Sequence, residues 1–533
     1  MADSLDYDDL GFRCGIEIHQ QLDTGTKLFC NCSTDMGNEA AVAKIRRQLR
    51  PVAGESGEVD RAAKFEFLTD REFVYNIYED VSCLVELDEE PPHPINEEAV
   101  ETALEIGLLM DATIPDEIHV MRKTVIDGSN TSGFQRTAIV GLDGTLETSK
   151  GEVSIEDIEL EEESAGIHAR EQQRSTFDLD RLGIPLIEIG TDDSIQDPDH
   201  AKEVAKQIGM LLRSTGNVKR GLGTIRQDVN VSIEGGARIE VKGFQDVKNL
   251  DKLVRNEVRR QKELLQIKAE LEERGVETVD TGIEDVTDLF KTSDNQIIKR
   301  VIESNGAVYA TTLPLEGLMN RELCAGKTLG KEFADYAKAH GVKGIMHTDE
   351  DVSRYGLEDE FDELADELEK EEGEVVVIVA GLEEQAENAL EAVAERAAQC
   401  LGGVPEETRD ANQDFTTSYS RPLPGSARMY PETDIPPFTV DEGFLDELEQ
   451  QLPATLEERR EKLAERIGDQ LADQLVDSKR LDLFDTLREE FDVDEKDIAN
   501  LLTNIIGDVV SRHDVDPGKL EQQHFEQILE LLA

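Results

Sequence analysis

Residues 15–19, Gly-Ile-Glu-Ile-His, alternate apolar and polar side chains at a period of two. An extended chain sends successive side chains to opposite faces, so Ile16 and Ile18 can enter a core while Glu17 and His19 point together into a cleft. Ile184-Pro-Leu-Ile-Glu-Ile189 repeats the alternation and projects a further acid, Glu188. Segments of this kind call for a sheet with one apolar face. By itself the pentapeptide reads equally well as a half-buried strand with two polar residues in solvent.

The organisation changes three times along the 533 residues, a length that calls for several domains. Residues 11 to about 245 read as strands and loops rich in Gly and Pro. From Phe244 to Gly275 the pattern turns helical. Val247, Leu250, Leu253, Val254, Val258, Leu264, Leu265, Ile267 and Leu271 recur largely at spacings of three and four, and Gly275 is a C-terminal stop. Residues 283–405 read as an alternating α/β module, with helices near 294–304, 331–340 and 383–400 and strands at 307–312, 344–347 and 374–380. Its run 358–372 holds ten acids and one Lys. That run reads as the solvated face of a helix with Phe361, Leu364 and Leu368 as its apolar stripe, rather than as a partner site. After Ile435-Pro-Pro437, residues 441–533 are Leu-rich and helical, and Phe525–Ala533 stop inside an amphipathic pattern without a cap, as in an incomplete last domain. The expectation is a multidomain α+β protein: a mixed α/β body over 1–282 and 406–440, an α/β insertion over 283–405, and an all-helical tail over 441–533.

Asp and Glu number 118 against 56 Lys and Arg, a formal charge of -62 spread over the whole length. A carboxylate-rich surface stays hydrated where salt screens its self-repulsion, so the balance points to a high-salt cytoplasm. The apolar periodicity argues against disorder. The N-terminus has neither a basic region nor an apolar run, and the longest apolar run, near Val375–Leu382, has the length of a buried strand; no membrane association is expected. Six cysteines in such a chain are not a disulfide framework. Only Cys30-Asn-Cys32 suggests metal, and no second pair follows; Cys83 is the third ligand a structural zinc would draw on, and zinc is the lesser expectation.

Gly326-Lys327-Thr328 has Arg321 where a phosphate-binding loop needs its first Gly, so that motif fails. The filter that works is an acid on an alternating strand. Glu17 with His19, Glu161 and Glu162, Glu188, Asp228 with Asn230, and Glu240 pass it. Three or four carboxylates and a His brought together make an oxygen-rich site suited to Mg²⁺ and to phosphoryl transfer. The competing account is an acidic halophilic surface.

Gly15–Cys30, Leu160-Glu-Glu-Glu-Ser-Ala165, Leu182–Ile189 and Asp228-Val-Asn-Val-Ser232 resemble the signature blocks of the GatB/GatE family, subunits of tRNA-dependent amidotransferases that convert Glu on tRNA(Gln) into Gln. Val125–Arg136 and Arg421–Asp434 resemble the archaeal E-type branch, and 283–405 resembles the insertion domain of bacterial-type aspartyl-tRNA synthetases. The resemblance implies a cradle-like N-terminal kinase domain that uses ATP and Mg²⁺ to phosphorylate the γ-carboxylate of tRNA-bound Glu before ammonia displaces the phosphate. It implies Glu17, His19, Glu162 and Glu188 as catalytic residues and Mg²⁺ ligands, and Asp228, Asn230 and Glu240 as weaker, cofactor-binding candidates. No asparaginase-like Thr-Gly-Gly-Thr and no amidase Ser cluster is present, so the resemblance places the ammonia source on an asparaginase-like D-type partner in a heterodimer. The paired-Cys pattern of bacterial relatives is only partly present, at Cys30 and Cys32.

A chain this acidic needs local positive ground to hold tRNA. The candidate clusters are Arg46, Arg47 and Arg50; Lys219, Arg220 and Arg226; and Lys248, Lys252, Arg255, Arg259 and Arg260. A non-catalytic tRNA-binding scaffold, with the acidic strands purely structural, is the rival reading.

Overall fold

The computed structural model describes all residues except 1–4, 37–39, 52–56, 58, 60–62, 65, 66, 68–70, 172, 173, 280, 281, 424–428, 479, 492, 514–519, 521, 532 and 533. Two compact units result: Met1–Lys206 with Asn217–Leu445, and Gln207–Gly216 with Asp446–Ala533.

The first unit is built on a large mixed sheet. Its strands are β1 (Arg13–Gln21), β2 (Val120–Thr124), β3 (Phe134–Thr148), β4 (Gly151–Glu162), β5 (Pro185–Thr191), β6 (Ile225–Ser232), β7 (Ile239–Phe244), β8 (Glu407–Ala411), β9 (Thr417–Pro422) and β10 (Met429–Pro431). Their spatial order is β9-β8-β7-β6-β1-β5-β4-β3-β2-β10, antiparallel throughout except for the β7–β8 pair. The alternating pentapeptide therefore lies on an inner strand with neighbours on both sides. Ile16, Ile18, Leu160, Ile187, Ile189 and Val229 are fully or almost fully buried on one face. Helix α1 (Glu97–Leu109), capped by the Asn96 side chain on the Ala99 N–H, packs against β3 and β4.

Helix α2 (Leu250–Glu273) is shorter than the apolar pattern implied, because Ile239–Phe244 pairs into the sheet and Val247–Asn249 forms a single 3₁₀ turn first. Its end is as expected: Gly275 takes φ +76° and the Val276 N–H bonds the Leu271 carbonyl, closing the last turn.

Residues 284–381 hold a four-stranded antiparallel sheet in the order Glu284–Asp285, Ala307–Leu313, Val375–Gly381, Met346–His347. Val375, Val377 and Val379 face one core with Phe333 and Leu390, while Val376 and Ile378 face another with Phe290 and Phe361. Burial on both faces explains the uninterrupted apolar run. Leu264, Ile267 and Leu271 of α2 complete the first of these cores. The acidic helix spans Glu358–Glu367 and buries Phe361 and Leu364, but it stops before 372, with Glu369 at φ +50°.

The second unit is helical among its described residues, with Leu463, Leu475, Phe484, Leu487, Ile498, Leu502, Phe525 and Leu529 in one core. Residues 424–428 of the Arg421–Asp434 block and the last two residues of the Phe525–Ala533 segment lie outside the described residues. No helix among the described residues is long and apolar enough to cross a membrane.

Candidate functional site

Residues directly opposite one another on antiparallel strands share a face. Glu17 lies opposite Asp228, His19 opposite Glu188, Glu188 opposite Glu159, and Asn230 opposite Glu240. The period of two then places Glu161 beside Glu159. One face at the middle of the sheet is thus a polar row crossing β7, β6, β1, β5 and β4, with the aliphatic residues behind it. Opposite Glu17 stands Gly190, where a Cβ would come within 2.7 Å of Asp157 Oδ1.

Two sets of side chains converge closely enough for each to hold one ion: His19, Glu161 and Glu188, and Glu17, Asp228 and Glu240, with ligand atoms within 4.8 Å of one another in each. His19 Nε2 lies 3.3 Å from Glu188 Oε2, and its buried Nδ1 has no hydrogen-bond partner among the described residues. Asn230 Nδ2 donates to Glu17 Oε1 at 3.0 Å. Asp228 accepts the Gly243 N–H at 2.7 Å, in a turn where Gly243 has φ +70°. Two lysines lie within the row. Lys123 is ion-paired with Glu161 and lies 3.4 Å from both Glu159 and Glu188. Lys242 contacts Asp228 at 2.8 Å and Glu240 at 2.7 Å.

The electrostatics divide these acids into two kinds. Burial, and then the neighbouring Glu188 carboxylate, push Glu17 up to about 7. Burial and Glu188 likewise raise Glu161, to about 8. Glu188 itself is held well below the usual carboxylate range, because Lys123 and His19 outweigh its burial. Burial also opposes the charge on Asp228, yet Lys242 and His19 draw it down to about 2. For His19, burial works against the cation, but Glu188 more than offsets it and the net shift is upward. Near neutrality the face therefore holds fixed carboxylates beside acids that can take or give a proton.

Of the residues chosen from sequence, Glu17, His19, Glu188, Asp228, Asn230 and Glu240 lie on this face. Glu162 does not, and its placement with them is corrected: it follows Glu161 on the same strand and so points to the opposite side. There it accepts the Arg136 N–H at 2.9 Å, and Arg136 Nε reaches Glu432 at 2.9 Å. Two members of the basic clusters are corrected as well, while Arg46, Arg50 and Arg220 are exposed. Arg226 binds both oxygens of buried Glu163, and Arg260 is fully buried against Glu257 and Glu332. Lys248 and Lys252 do remain exposed.

Sequence reasoning missed Glu159, Lys123, Lys242 and Glu163, and chose Glu162 over Glu161. The alternation of Glu159 and Glu161 with Ile158 and Leu160 was visible; which parity faces Glu188 depends on register.

A separate group joins Cys30, Cys32, Cys83 and Glu86, all with ligand atoms within 4.8 Å. Cys30 Sγ donates to Glu86 at 2.9 Å, and the Cys32 and Val85 N–H groups each point at a sulfur, Cys30 and Cys83, at 3.4 Å. Hydrogen bonds from the Cys30 and Cys83 thiols draw Cys32 down to about 4. Three sulfurs and one carboxylate suit Zn²⁺; the fourth donor is an acid, not the second cysteine pair whose absence weakened the case from sequence.

A family model described as the GatB/GatE catalytic domain matches residues 12–446. The E-type subunit of glutamyl-tRNA(Gln) amidotransferase from Methanopyrus kandleri is 46% identical over all of this chain and 84% of its own length. Its namesake from Methanocaldococcus jannaschii is 48% identical over 99% of this chain and 85% of its own, and that of Haloarcula marismortui is 53% identical over 82% and 70%. The chain is an amidotransferase enzyme and belongs to the GatB/GatE family.

Proposed function

We propose that this chain binds Glu-tRNA(Gln) and uses ATP to phosphorylate the γ-carboxylate of the tRNA-bound glutamate, which ammonia from an asparaginase-like partner subunit then converts to the amide. The observation that carries this reading is the convergence of Glu17, His19, Glu161, Glu188, Asp228 and Glu240 on one sheet face. In the first step the substrate carboxylate oxygen attacks the γ-phosphorus and ADP leaves. Ammonia nitrogen then attacks the acyl carbon, and inorganic phosphate departs with the C–O bonding pair. A carboxylate oxygen is a poor leaving group, and phosphorylation turns it into a good one.

The donor sets fit a divalent cation. Glu17, Asp228 and Glu240 offer oxygen alone, the chemistry Mg²⁺ prefers, and the His19 set adds one imidazole nitrogen. Mg²⁺ held there would neutralise phosphate charge. Glu188, kept ionised by Lys123 and His19, is a fixed negative charge of the site, and Glu17, raised to about 7, is the group able to exchange a proton near neutrality. Lys248 and Lys252 are exposed donors for tRNA phosphates, and the acidic surface fits a salt-rich cytoplasm. The cysteine group is read as a structural zinc site.

The test is conversion of Glu-tRNA(Gln) by Glu17→Gln and His19→Ala with the partner subunit, ATP and Mg²⁺ in concentrated KCl. Conversion should be lost while tRNA binding persists. Unchanged conversion would remove these residues from the chemistry and favour the scaffold reading.

A further inference from the structure

A face crowded with Glu17, Glu188, Asp228 and Glu240 repels a nucleotide triphosphate, so phosphate placed there needs cationic donors at the same spot. Three cations reach this face from its own strands. Lys123, its side chain 7% exposed, is enclosed by three carboxylates. Lys242 differs. An ammonium has three N–H donors; two are taken up by Asp228 and Glu240, and the side chain is 33% exposed, which leaves a third donor for a ligand. Arg226 stands two residues before Asp228 on β6, on the same face and opposite His19. Its Nη1 engages Glu163 and its side chain is 23% exposed, which leaves Nε and Nη2 as donors.

We infer that Lys242, which contacts Asp228 from the neighbouring strand, and Arg226, two residues before Asp228 on its own strand, are the residues that contact the terminal phosphate of ATP. The assignment rests on the kinase reading above and adds to it the groups that hold the anion. Lys242 thereby has two tasks: it pairs with Asp228 and Glu240, and it offers a donor to the phosphoryl oxygen. Arg226 joins the phosphate to the buried Glu163 anchor. A lysine that served only to neutralise its two acids would have the first task alone, and the two roles predict opposite results.

The experiment measures ATP and ADP affinity of the full chain at fixed KCl and Mg²⁺, for wild type, Lys242→Met and Lys242→Arg, with melting temperature recorded for each. Loss of a charge-assisted hydrogen bond corresponds to about a ten- to hundredfold weakening, so Lys242→Met should erase the preference for ATP over ADP by at least about tenfold. Lys242→Arg should keep it, at unchanged melting temperature. If Lys242→Met retains the wild-type ATP-to-ADP ratio and binds Mg²⁺ more tightly, the lysine only neutralises its acids and the assignment is overturned, while the kinase reading stands. If wild type binds no ATP, both fall together. Should Lys242→Met not fold, Arg226→Lys, which keeps a cation beside Glu163 but gives up the guanidinium fork, applies the same ratio test to the second residue.

Discussion

Replacing Glu332 with Gln should destabilise the first unit by about 3–5 kcal/mol, the cost of leaving buried charge without its partner. Glu332 is fully buried and lies 2.6 Å from Arg260 Nη1, 2.7 Å from Arg409 Nη2 and 3.6 Å from Arg396 Nη2. Lys327 Nζ is 3.8 Å away. These four cations share Glu332 with Glu257, Glu407 and Asp335, so the network is balanced in charge and Glu332→Gln leaves one net positive charge in a buried setting. At about 2.1 cal/mol/K of unfolding entropy per residue, a unit of about 435 residues loses about 1 °C of melting temperature per kcal/mol, which gives a fall of about 3–5 °C. The assay is thermal unfolding followed at two or more KCl concentrations. Because the network is shielded from solvent, the drop should be nearly the same at each. The double variant Glu332→Gln, Arg396→Met restores neutrality and should recover at least half of the loss. A fall under about 1 °C, or one that vanishes with added salt, would refute the reasoning.

Four further outcomes follow from the same physics. Glu163, buried and drawn down to about 2 against its burial by Arg226 and Arg181, contributes stability that is fully present above its unfolded value near 4.5 and is lost as pH falls toward about 2; urea titrations across that window should show a loss that Glu163→Gln abolishes, and an identical acid limb in both proteins would contradict it. Elemental analysis of the purified chain should find about one zinc per chain, lost in Cys83→Ser together with several degrees of melting temperature; a metal-free chain with a Cys83→Ser variant of equal stability would end the zinc reading. Gly275→Ala should cost about 1 kcal/mol, since a side chain is strained at φ +76°, and no measurable change in unfolding would show that the helix end relaxes. Gly190→Ala, which sets a methyl opposite Glu17 and within 2.7 Å of Asp157 Oδ1, should lower turnover with little change in tRNA affinity, because a methyl there crowds the face that carries Glu17; full turnover would show that the Asp157 side chain moves aside and the face is undisturbed.

Much of the fold was legible from local pattern. The strands at 15–19 and 184–189, the helical stripe ending at Gly275, the strand at Val375 and the helical tail all follow from periodicities of two and 3.6, which are set by the backbone within a few residues. The limits of helices were less legible. Phe244 looked helical because it fits an apolar spacing, yet the ladder between β6 and β7 claims it. Arg226 and Arg260 looked like solvent-facing cations because nothing near them in sequence reveals the buried acids they pair with.

The sequence alone determined that Glu17 and His19 share a face and that Glu188 leads an alternating strand, since side-chain parity is a local property of an extended chain. It also carried the family blocks. Only the tertiary structure decided which acids meet. Asn230 reaches Glu17 across 213 positions of chain, and the choice of Glu161 over Glu162 depends on a strand register in which a slip of one residue exchanges the two faces. Register is fixed by the burial of whole strands against distant partners, and no short stretch of sequence contains it.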